Sequence, residues 1–326
     1  MTILVTGAAG FIGSHLCLQL LGRGDSVIGV DNLNNYYDVS LKRARLSLLE
    51  GKGSFRFFHA DVSNEADISD IFNNSGPIRR VVHLAAQAGV RYSIENPMAY
   101  VQSNLVGQMI ILEQCRRHRG FEHLVYASSS SVYGGNTKLP LAIADRVDRP
   151  ISLYAATKRS DELMCYCYSH LYGLPATGLR FFTVYGPWGR PDMAAYLFTE
   201  AILGGQPIKL FNHGNMKRDF TYIDDIIAGV ISALDHVPTV VGDEPPHRLY
   251  NLGNNHPESL LKFVEILERE LGCKSNREML PLQPGDVAET YADIETAKID
   301  LGFVPITTIE QGLPQFVAWF RSYHGV

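Results

Sequence analysis

Short apolar runs alternate with longer amphipathic stretches through the first half of the chain. The runs are Thr2–Thr6, Ser26–Val30, Phe55–Phe58, Arg80–Ala85, His123–Ser128 and Pro175–Phe181. Nearly continuous apolar strands separated by helices indicate a parallel sheet that is covered on both faces. Because crossover connections are right-handed, the pattern predicts an α/β fold with a Rossmann-type, doubly wound parallel sheet.

This alternation ends near residue 180, after which Pro, Gly and Asn are more frequent and the apolar runs are shorter. The pattern predicts the end of a strand followed by a helix over Phe220–Leu234, and a further strand over Arg248–Gly253. We therefore expect a first domain over residues 1–179, to which residues 220–250 return. Residues 180–326 are expected to form a smaller, interleaved C-terminal domain.

The composition limits the binding partners and the cellular location that we expect. The chain has 326 residues, is 46% apolar and carries a net charge of −5, which argues against a broad basic surface for nucleic acid. Its five cysteines have no zinc-type spacing, and the histidines form no ligand pattern, so no metal is expected. We find no signal peptide and no apolar run of about 20 residues, so we expect a cytoplasmic protein with no membrane partner.

A glycine pattern follows the first predicted strand directly. In "TGAAGFIGSHL", Gly7 suits a tight turn, Gly10 a close approach of the backbone to a pyrophosphate, and Gly13 close packing of helix on strand. The N–H groups that open the helix would receive the phosphates. Asp31 ends the second strand, where a carboxylate binds ribose hydroxyls and repels a 2′-phosphate. The pattern therefore predicts a site for NAD rather than NADP, with Asp61 after the third strand placed to contact the adenine.

A second group of candidate functional residues follows the fifth predicted strand. "YASSSSVYG" closes that strand, and "YAATK" places Tyr154 and Lys158 on one face of the next helix, because residues i and i+4 are neighbours there. A tyrosine hydroxyl is a weak base at neutral pH, but a nearby ammonium and a positive nicotinamide ring favour its phenolate form. These residues predict proton transfer at a hydroxyl-bearing substrate.

Together these motifs resemble the extended short-chain dehydrogenase/reductases. The likeness runs from "TGAAGFIG" through "YAATK" to "KRDFTYIDD" and "PGDVAETYAD" and covers essentially the whole chain. It implies tightly held NAD in the first domain and a nucleotide-sugar in the second. It also implies a catalytic triad, with Tyr154 as base, Lys158 as its electrostatic partner and Ser129 as the third residue. The implied NAD contacts are Gly7, Gly10, Phe11, Ile12, Gly13, Asp31, Asn32, Asp61, Val62, Leu84, Ala85, Ala86, Tyr154 and Lys158.

The serine run separates the branches of this family. Sugar 4,6-dehydratases carry an Asp-Glu pair just before "VYG", and uronate decarboxylases typically carry Ser-Glu, whereas this chain has Ser130 and Ser131. Without an acid to drive elimination, oxidation at carbon 4 followed by re-reduction on the other face is the chemistry that is left. The resemblance therefore favours a 4-epimerase.

The aromatic stretch "RFFTVYGPWGRPDMA", with "HLAAQAGVRYS" and "FNHGNMKRDFTYIDD", is similar to the same regions of UDP-glucuronate 4-epimerases. These interconvert UDP-glucuronate and UDP-galacturonate. A uronate needs a receptor for its carboxylate, and the fork of Arg190 offers a charge-assisted one. By analogy, Thr183 stands where epimerases of neutral sugars have an Asn that contacts the UDP-sugar, and Ser130 and Ser131 are small donors to the uronate.

The resemblance places further substrate contacts at Arg218, which meets the diphosphate, and at Asp286, near the ribose. Arg91 is expected at the diphosphate or at a partner subunit. A homodimer is implied, through a four-helix bundle built by residues 95–118 and 152–171. The alternatives left open are a UDP-glucose 4-epimerase, a UDP-glucuronate decarboxylase and a non-catalytic NAD-binding sensor on the same fold.

Overall fold

In a computed structural model that describes residues 1–283 and 287–326, six strands pair in parallel in the order β6-β5-β4-β1-β2-β3. A further strand, β10, continues the sheet beside β6. The seven strands are β1 (Thr2–Thr6), β2 (Ser26–Asp31), β3 (Ser54–His59), β4 (Arg80–His83), β5 (His123–Ser129), β6 (Ala176–Phe181) and β10 (His247–Leu252). The order reverses at β1, so the predicted Rossmann-type fold is confirmed.

Helices connect these strands. They are α1 (Phe11–Gly22), α2 (Val39–Ser47), α3 (Glu65–Asn74), α4 (Tyr92–Glu95), α5 (Pro97–Tyr100), α6 (Gly107–Arg117), α7 (Leu153–Tyr172) and α9 (Ile223–Asp235). A π-helical segment, Val101–Val106, leads from α5 into α6, and a 3-10 turn, Ser130–Tyr133, follows β5. Each predicted strand of the first half is found within two residues of its expected ends. The apolar runs of β1, β2, β4, β5 and β6 are buried in the sheet, whereas the phenylalanines of the edge strand β3 are half-buried.

The chain divides into two compact units. The first comprises Met1–Gly134, Arg146–Phe181 and Ile227–Tyr250, and the second comprises Gly135–Asp145, Phe182–Ile226 and Asn251–Val326. Segment 135–145 groups with the second unit because Leu141 pairs with Ala292 and receives a side-chain hydrogen bond from Asn251. Which ligand each unit binds stays a prediction.

The second unit contains a four-stranded and a two-stranded sheet. In the larger one, β9 (Lys217–Tyr222) pairs with β7 (Thr183–Tyr185), β11 (Pro257–Ser259) and β13 (Glu289–Thr290). The smaller one pairs β8 (Pro207–Leu210) with β12 (Asn276–Met279), and a 3-10 turn, Phe211–Gly214, follows β8. The helices are α8 (Ala194–Leu203), α10 (Leu260–Leu271), α11 (Glu295–Leu301) and α12 (Ile309–His324).

A buried hydrophobic cluster forms a core of the first unit. Strands β1, β4 and β5 bring fully buried aliphatic side chains to it, and α3 and α6 contribute Ile71, Phe72, Ile111 and Leu112. Among the described residues, no helix is long and apolar enough to cross a membrane.

Candidate active site

The turn between β1 and α1 has the tight geometry that its glycines predict. Gly7 adopts a φ of +71°, which is in the left-handed region that favours glycine. A Cβ added at Gly13 would lie 2.0 Å from the Gly7 carbonyl oxygen, so the helix packs on the turn only because Gly13 has no side chain. The turn thus brings bare backbone and the N-terminus of α1 together, which fits a pyrophosphate.

Asp31 ends β2 beside this turn. Its carboxylate accepts hydrogen bonds from the backbone N–H groups of Ala9, at 3.1 Å, and Leu33, at 2.9 Å. Burial raises the pKa of Asp31 above its usual value, against the opposing effect of these hydrogen bonds. A carboxylate fixed beside the glycine turn is suitably placed for ribose hydroxyls, as the sequence predicts.

Two predicted cofactor contacts, Asn32 and Asp61, follow the neighbouring strands β2 and β3 at one edge of the sheet. Asn32 Nδ2 donates to Asp61 Oδ2 at 2.7 Å, and Ser63 donates to the other oxygen of the same carboxylate through its N–H and its hydroxyl. Burial works against ionisation, but these hydrogen bonds hold the pKa of Asp61 below its usual value. Val62 is buried beside it. The structure therefore brings Asn32 and Asp61 together.

The segment after β4 lies against β1. The backbone N–H groups of Leu84 and Ala85 donate to the Thr6 carbonyl and hydroxyl oxygens, at 3.3 and 3.1 Å. A Cβ at Gly7 would come within 2.9 Å of the Ala85 nitrogen, so this segment borders the glycine turn. The dinucleotide contacts predicted next to this segment, Ala86 and, at the start of α1, Phe11 and Ile12, stay a prediction.

The serine run forms a compact hydroxyl cluster at the end of β5. Ser129 is the last residue of the strand, and its Oγ accepts hydrogen bonds from the Ser131 hydroxyl at 3.0 Å and the Ser131 N–H at 3.2 Å. Ser130 and Ser131 open the 3-10 turn against which α7 packs. Half-buried hydroxyls are therefore present where related branches carry carboxylates.

Tyr154 and Lys158 occupy the first turns of α7. Ser152 caps this helix by accepting a hydrogen bond from the Ala155 N–H at 3.1 Å. Lys158 Nζ donates to the Ala127 carbonyl oxygen at 2.9 Å, two residues before Ser129, so the ammonium reaches the end of β5. The Tyr154 ring packs edge-on against the buried Tyr100, with ring centroids 6.0 Å apart.

Two residues near Lys158, His83 and Asp161, were not predicted as part of the site. Burial, with a smaller effect of Lys158, lowers the pKa of His83 to about 3, so its imidazole is neutral. His83 Nδ1 and the Thr6 hydroxyl share a hydrogen bond of 2.7 Å. Asp161 lies three residues after Lys158 with Oδ2 3.1 Å from Nζ. The i,i+3 spacing from Lys158 is the sequence signal that points to it.

In the second unit, Thr183 and Arg190 line one cavity with Tyr185 and Phe316. The Arg190 guanidinium makes a two-point ion pair with Asp192, with Nε–Oδ1 at 2.9 Å and Nη2–Oδ2 at 2.7 Å. Asp192 thus orients the Arg190 fork, a contact that the sequence reading missed.

The aromatic stretch around Arg190 packs on the C-terminal helix of its own unit. Trp188 has a φ of +63° and lies 5.3 Å, centroid to centroid, from both Trp319 and Tyr323 on α12. Tyr185 lies beneath the same helix, where a Cβ at Gly312 would come 2.3 Å from its hydroxyl. These contacts support the backbone that carries Arg190.

The remaining predicted contacts are placed as follows. Arg218 is half-buried in β9, and its Nη1 donates to the carbonyl oxygens of Lys217 and Ala288. Arg91 is exposed at the start of α4. Asp286 lies outside the described residues. No group of His, Cys, Asp and Glu that could hold a metal ion occurs in the described part of the chain.

The model of the NAD dependent epimerase/dehydratase family matches residues 3–253. The chain belongs to this family. It is 53% identical to Protein CapI of Staphylococcus aureus, over 99% of each chain. It is 48% identical to UDP-glucuronate 4-epimerase 1 of Arabidopsis thaliana, over 100% of this chain and 78% of that protein.

A solved structure extends the comparison to the fold. The UDP-glucuronic acid 4-epimerase of Bacillus cereus, in complex with UDP-glucuronic acid and NAD, is 34% identical to this chain and superposes with a TM-score of 0.90. The match covers 99% of this chain and 100% of that one. The nucleotide-sugar epimerase resemblance that the sequence predicts is thereby confirmed.

Proposed function

We propose that this protein is an NAD-dependent UDP-glucuronate 4-epimerase, an isomerase that interconverts UDP-glucuronate and UDP-galacturonate. The observation that carries the proposal is the serine cluster of Ser129, Ser130 and Ser131 at the strand end reached by Lys158. Its hydroxyls stand where elimination or decarboxylation branches carry an acid. The names of the Arabidopsis relatives and of the Bacillus cereus structure support the same substrate.

The oxidation step uses the residues of α7 and β5. Tyr154, as phenolate, takes the proton of the sugar 4-hydroxyl, while Lys158 stabilises the phenolate charge. The Ser129 hydroxyl donates a hydrogen bond to the same sugar oxygen. Bound NAD supplies the hydride acceptor for carbon 4 and returns the hydride in the reverse step. The product of this half-reaction is a 4-keto uronate.

Inversion at carbon 4 follows from rotation of the keto sugar before re-reduction. Tyr154 then returns the proton to the 4-oxygen, so no net redox change occurs and the cofactor is regenerated within the site. Small hydroxyl side chains at Ser130 and Ser131 leave room for this rotation and carry no charge that would repel the uronate carboxylate. These two features favour epimerisation over elimination.

A uronate imposes one further requirement. Oxidised at carbon 4, it is a β-keto acid, which loses carbon dioxide when the bond to the carboxylate aligns with the carbonyl π-system. We propose that Arg190 holds this carboxylate out of alignment. The Arg190 fork is preorganised by Asp192, which makes it suited to a second planar carboxylate.

The proposed contact to the diphosphate is Arg218 and that near the ribose is Asp286, while Arg91 is proposed at the diphosphate or at a partner subunit. The half-buried guanidinium of Arg218 has its direction fixed by two carbonyl oxygens. Mutating it should weaken UDP-sugar binding more than it slows the chemical step, because the diphosphate takes no part in the oxidation.

We also propose a cytoplasmic homodimer that is joined through a four-helix bundle of residues 95–118 and 152–171. Apolar side chains on the surface of the first unit support this arrangement, since exposed apolar patches mark interaction sites. They are Ile94, Met98, Met109, Leu163, Tyr166 and Leu171. Light scattering on the purified protein tests the dimer, and Leu163→Glu is expected to shift it to monomer.

The decisive experiment is to add UDP-glucuronate to the purified protein without added NAD and to follow the products by proton NMR and mass spectrometry. UDP-galacturonate of unchanged mass supports the proposal. A UDP-pentose, lighter by one carbon dioxide, would make the protein a decarboxylase. Turnover of UDP-glucose alone would make it an epimerase of neutral sugars, and retained NAD with no turnover of any UDP-sugar would make it a sensor.

A further inference from the structure

Lys158 has an anionic neighbour on its own helix. Asp161 follows it by three residues, and both side chains are at most 3% exposed. Asp161 Oδ2 lies 3.1 Å from Lys158 Nζ, and the Ala127 carbonyl oxygen lies 2.9 Å from the same nitrogen. Two of the three donors of the ammonium are therefore directed into the protein.

The second oxygen of this carboxylate is buried without a hydrogen-bond partner in the part of the chain that the structure describes. A buried acceptor that lacks a partner costs free energy, and a neutral side chain would avoid much of this cost. Packing alone therefore does not explain an aspartate at this position. Its charge next to Lys158 does.

The environment of Asp161 contains few other charges. The ionisable groups around it are Lys158, Glu162 and Cys165 on α7 and Tyr126 on β5, with His83 on β4 beyond Lys158. Burial raises the pKa values of Cys165 and Tyr126 and lowers that of His83, so all three are neutral near pH 7. Glu162 is ionised, with Arg180 and Arg159 as its partners. Lys158 is thus the cation paired with Asp161.

We propose that Asp161 is a positioning residue for the reaction: it fixes the ammonium nitrogen of Lys158 at the end of β5 and supplies its counter-charge. The inference rests on the proposed function only through the use of Lys158, so it holds for any nucleotide-sugar that the enzyme oxidises. Asp161 itself touches neither the substrate nor the cofactor in this role.

A pH signature follows from the burial of the carboxyl group. Burial raises the pKa of Asp161 to about 6, although the ammonium of Lys158 opposes that shift. Above pH 7 the carboxylate is charged and anchors Lys158. Below pH 5 it is protonated and neutral, so the wild type then resembles Asp161→Asn. A residue with a merely structural role would not produce such a change.

The first test compares the steady-state kinetics of wild type and D161N between pH 5 and pH 8. We expect kcat of D161N to be lower by about tenfold above pH 7, with KM for the UDP-sugar changed less than about twofold, because Lys158 acts on the base and the cofactor and not on UDP-sugar binding. The ratio of wild-type to variant kcat should approach one near pH 5. Asp70→Asn, an exposed carboxylate on α3, is the matched control and should keep a ratio of one throughout.

The second test needs no turnover. Carbon-13 NMR of labelled aspartate carboxyls, with the Asp161 signal identified by its loss in D161N, should show a titration midpoint near pH 6 that rises in Lys158→Met. A kcat ratio that is constant with pH, or a midpoint unaffected by Lys158→Met, would overturn the inference. If the wild type turned over no nucleotide-sugar, the proposed function would fail, and the NMR titration would still decide the pairing.

Discussion

Arg180 and Glu162 form a buried two-point ion pair that joins β6 to α7. Arg180 Nε and Nη2 lie 2.8 and 2.9 Å from the two Glu162 oxygens, and both side chains are 1% exposed. Ser128 donates to the same carboxylate from β5. Although burial opposes ionisation, Arg180 holds the pKa of Glu162 below its usual value. The pair ties the helix that carries Tyr154 and Lys158 to the two strands beneath it.

Breaking this pair from one side should be costly. Arg180→Ala is expected to lower the free energy of unfolding by about 3–5 kcal/mol, because it leaves the Glu162 charge buried without its main partner. Chemical denaturation measures this change. Arg159→Ala, which removes the half-exposed partner of Glu162, is the control and should cost less than about 1 kcal/mol. Equal losses in the two variants would contradict the assignment.

Asp161 should make stability depend on pH in the direction opposite to that of most carboxylates. Its pKa is raised from 3.8 to about 6 by burial, so its stabilising contribution is complete below pH 3.8 and is lost as the pH rises through 6. Asp161→Asn should therefore be more stable than the wild type at pH 8, by about 1–3 kcal/mol, and equally stable near pH 4. Thermal unfolding at the two pH values checks this.

A gain in stability at pH 8 together with the expected loss of kcat would mark Asp161 as a residue retained for function. The contrary result, a variant that is less stable than the wild type at pH 8, would mean that the ion pair with Lys158 outweighs the cost of burying the carboxylate. Asp70→Asn again serves as the control, since an exposed carboxylate should leave both measurements unchanged.

The glycine turn gives a sharp test of the cofactor site. Gly13→Ala places a Cβ 2.0 Å from the Gly7 carbonyl oxygen, so the turn must open and the purified protein should contain little NAD. Gly22→Ala, at the last residue of the same helix, meets no atom within 4 Å and should keep its NAD. The NAD released on denaturation is the measurement. Full NAD content in Gly13→Ala would argue against a cofactor at this turn.

The role of Tyr154 can be separated from its packing against Tyr100. Tyr154→Phe keeps the ring but removes the hydroxyl, so kcat should fall by about 10²–10⁴ while NAD content and thermal stability stay unchanged. Tyr172→Phe, an exposed tyrosine at the end of the same helix, should retain wild-type kcat. A Tyr154→Phe variant with near-normal kcat would remove Tyr154 as the base.

The local sequence pattern predicts the strands of the sheet and the glycine turn after β1. It does not predict contacts between residues that are far apart in the sequence. The apolar run of β1 and the glycines after it predict their own conformation, because each depends on neighbours within a few residues. The Arg180–Glu162 pair was not predicted, because a charged residue inside a predicted strand has no local signal for its partner. Segment 135–145 likewise groups with the second unit through Leu141 and Ala292, which are far apart in sequence.

The Arg190 hypothesis yields the prediction most specific to a uronate. Arg190→Ala should weaken UDP-glucuronate binding and release some UDP-pentose, because the freed carboxylate can then align with the 4-keto π-system. Lys at position 190 keeps the charge but not the two-point fork that pairs with Asp192, so Arg190→Lys should bind substrate better than Arg190→Ala yet still leak carbon dioxide.

Product analysis by mass spectrometry separates the effect of the charge of Arg190 from the effect of its orientation. Asp192→Asn is the matched variant: it keeps the guanidinium and replaces its two-point ion pair by at most one hydrogen bond to an amide oxygen. The quantity compared is the amount of UDP-pentose that Asp192→Asn forms. An amount between that of wild type and that of Arg190→Ala would show that the orientation of the guanidinium, and not its charge alone, protects the keto acid. If Arg190→Ala made no UDP-pentose and bound UDP-glucuronate as tightly as the wild type, other groups would hold the carboxylate and the proposed role of Arg190 would be wrong.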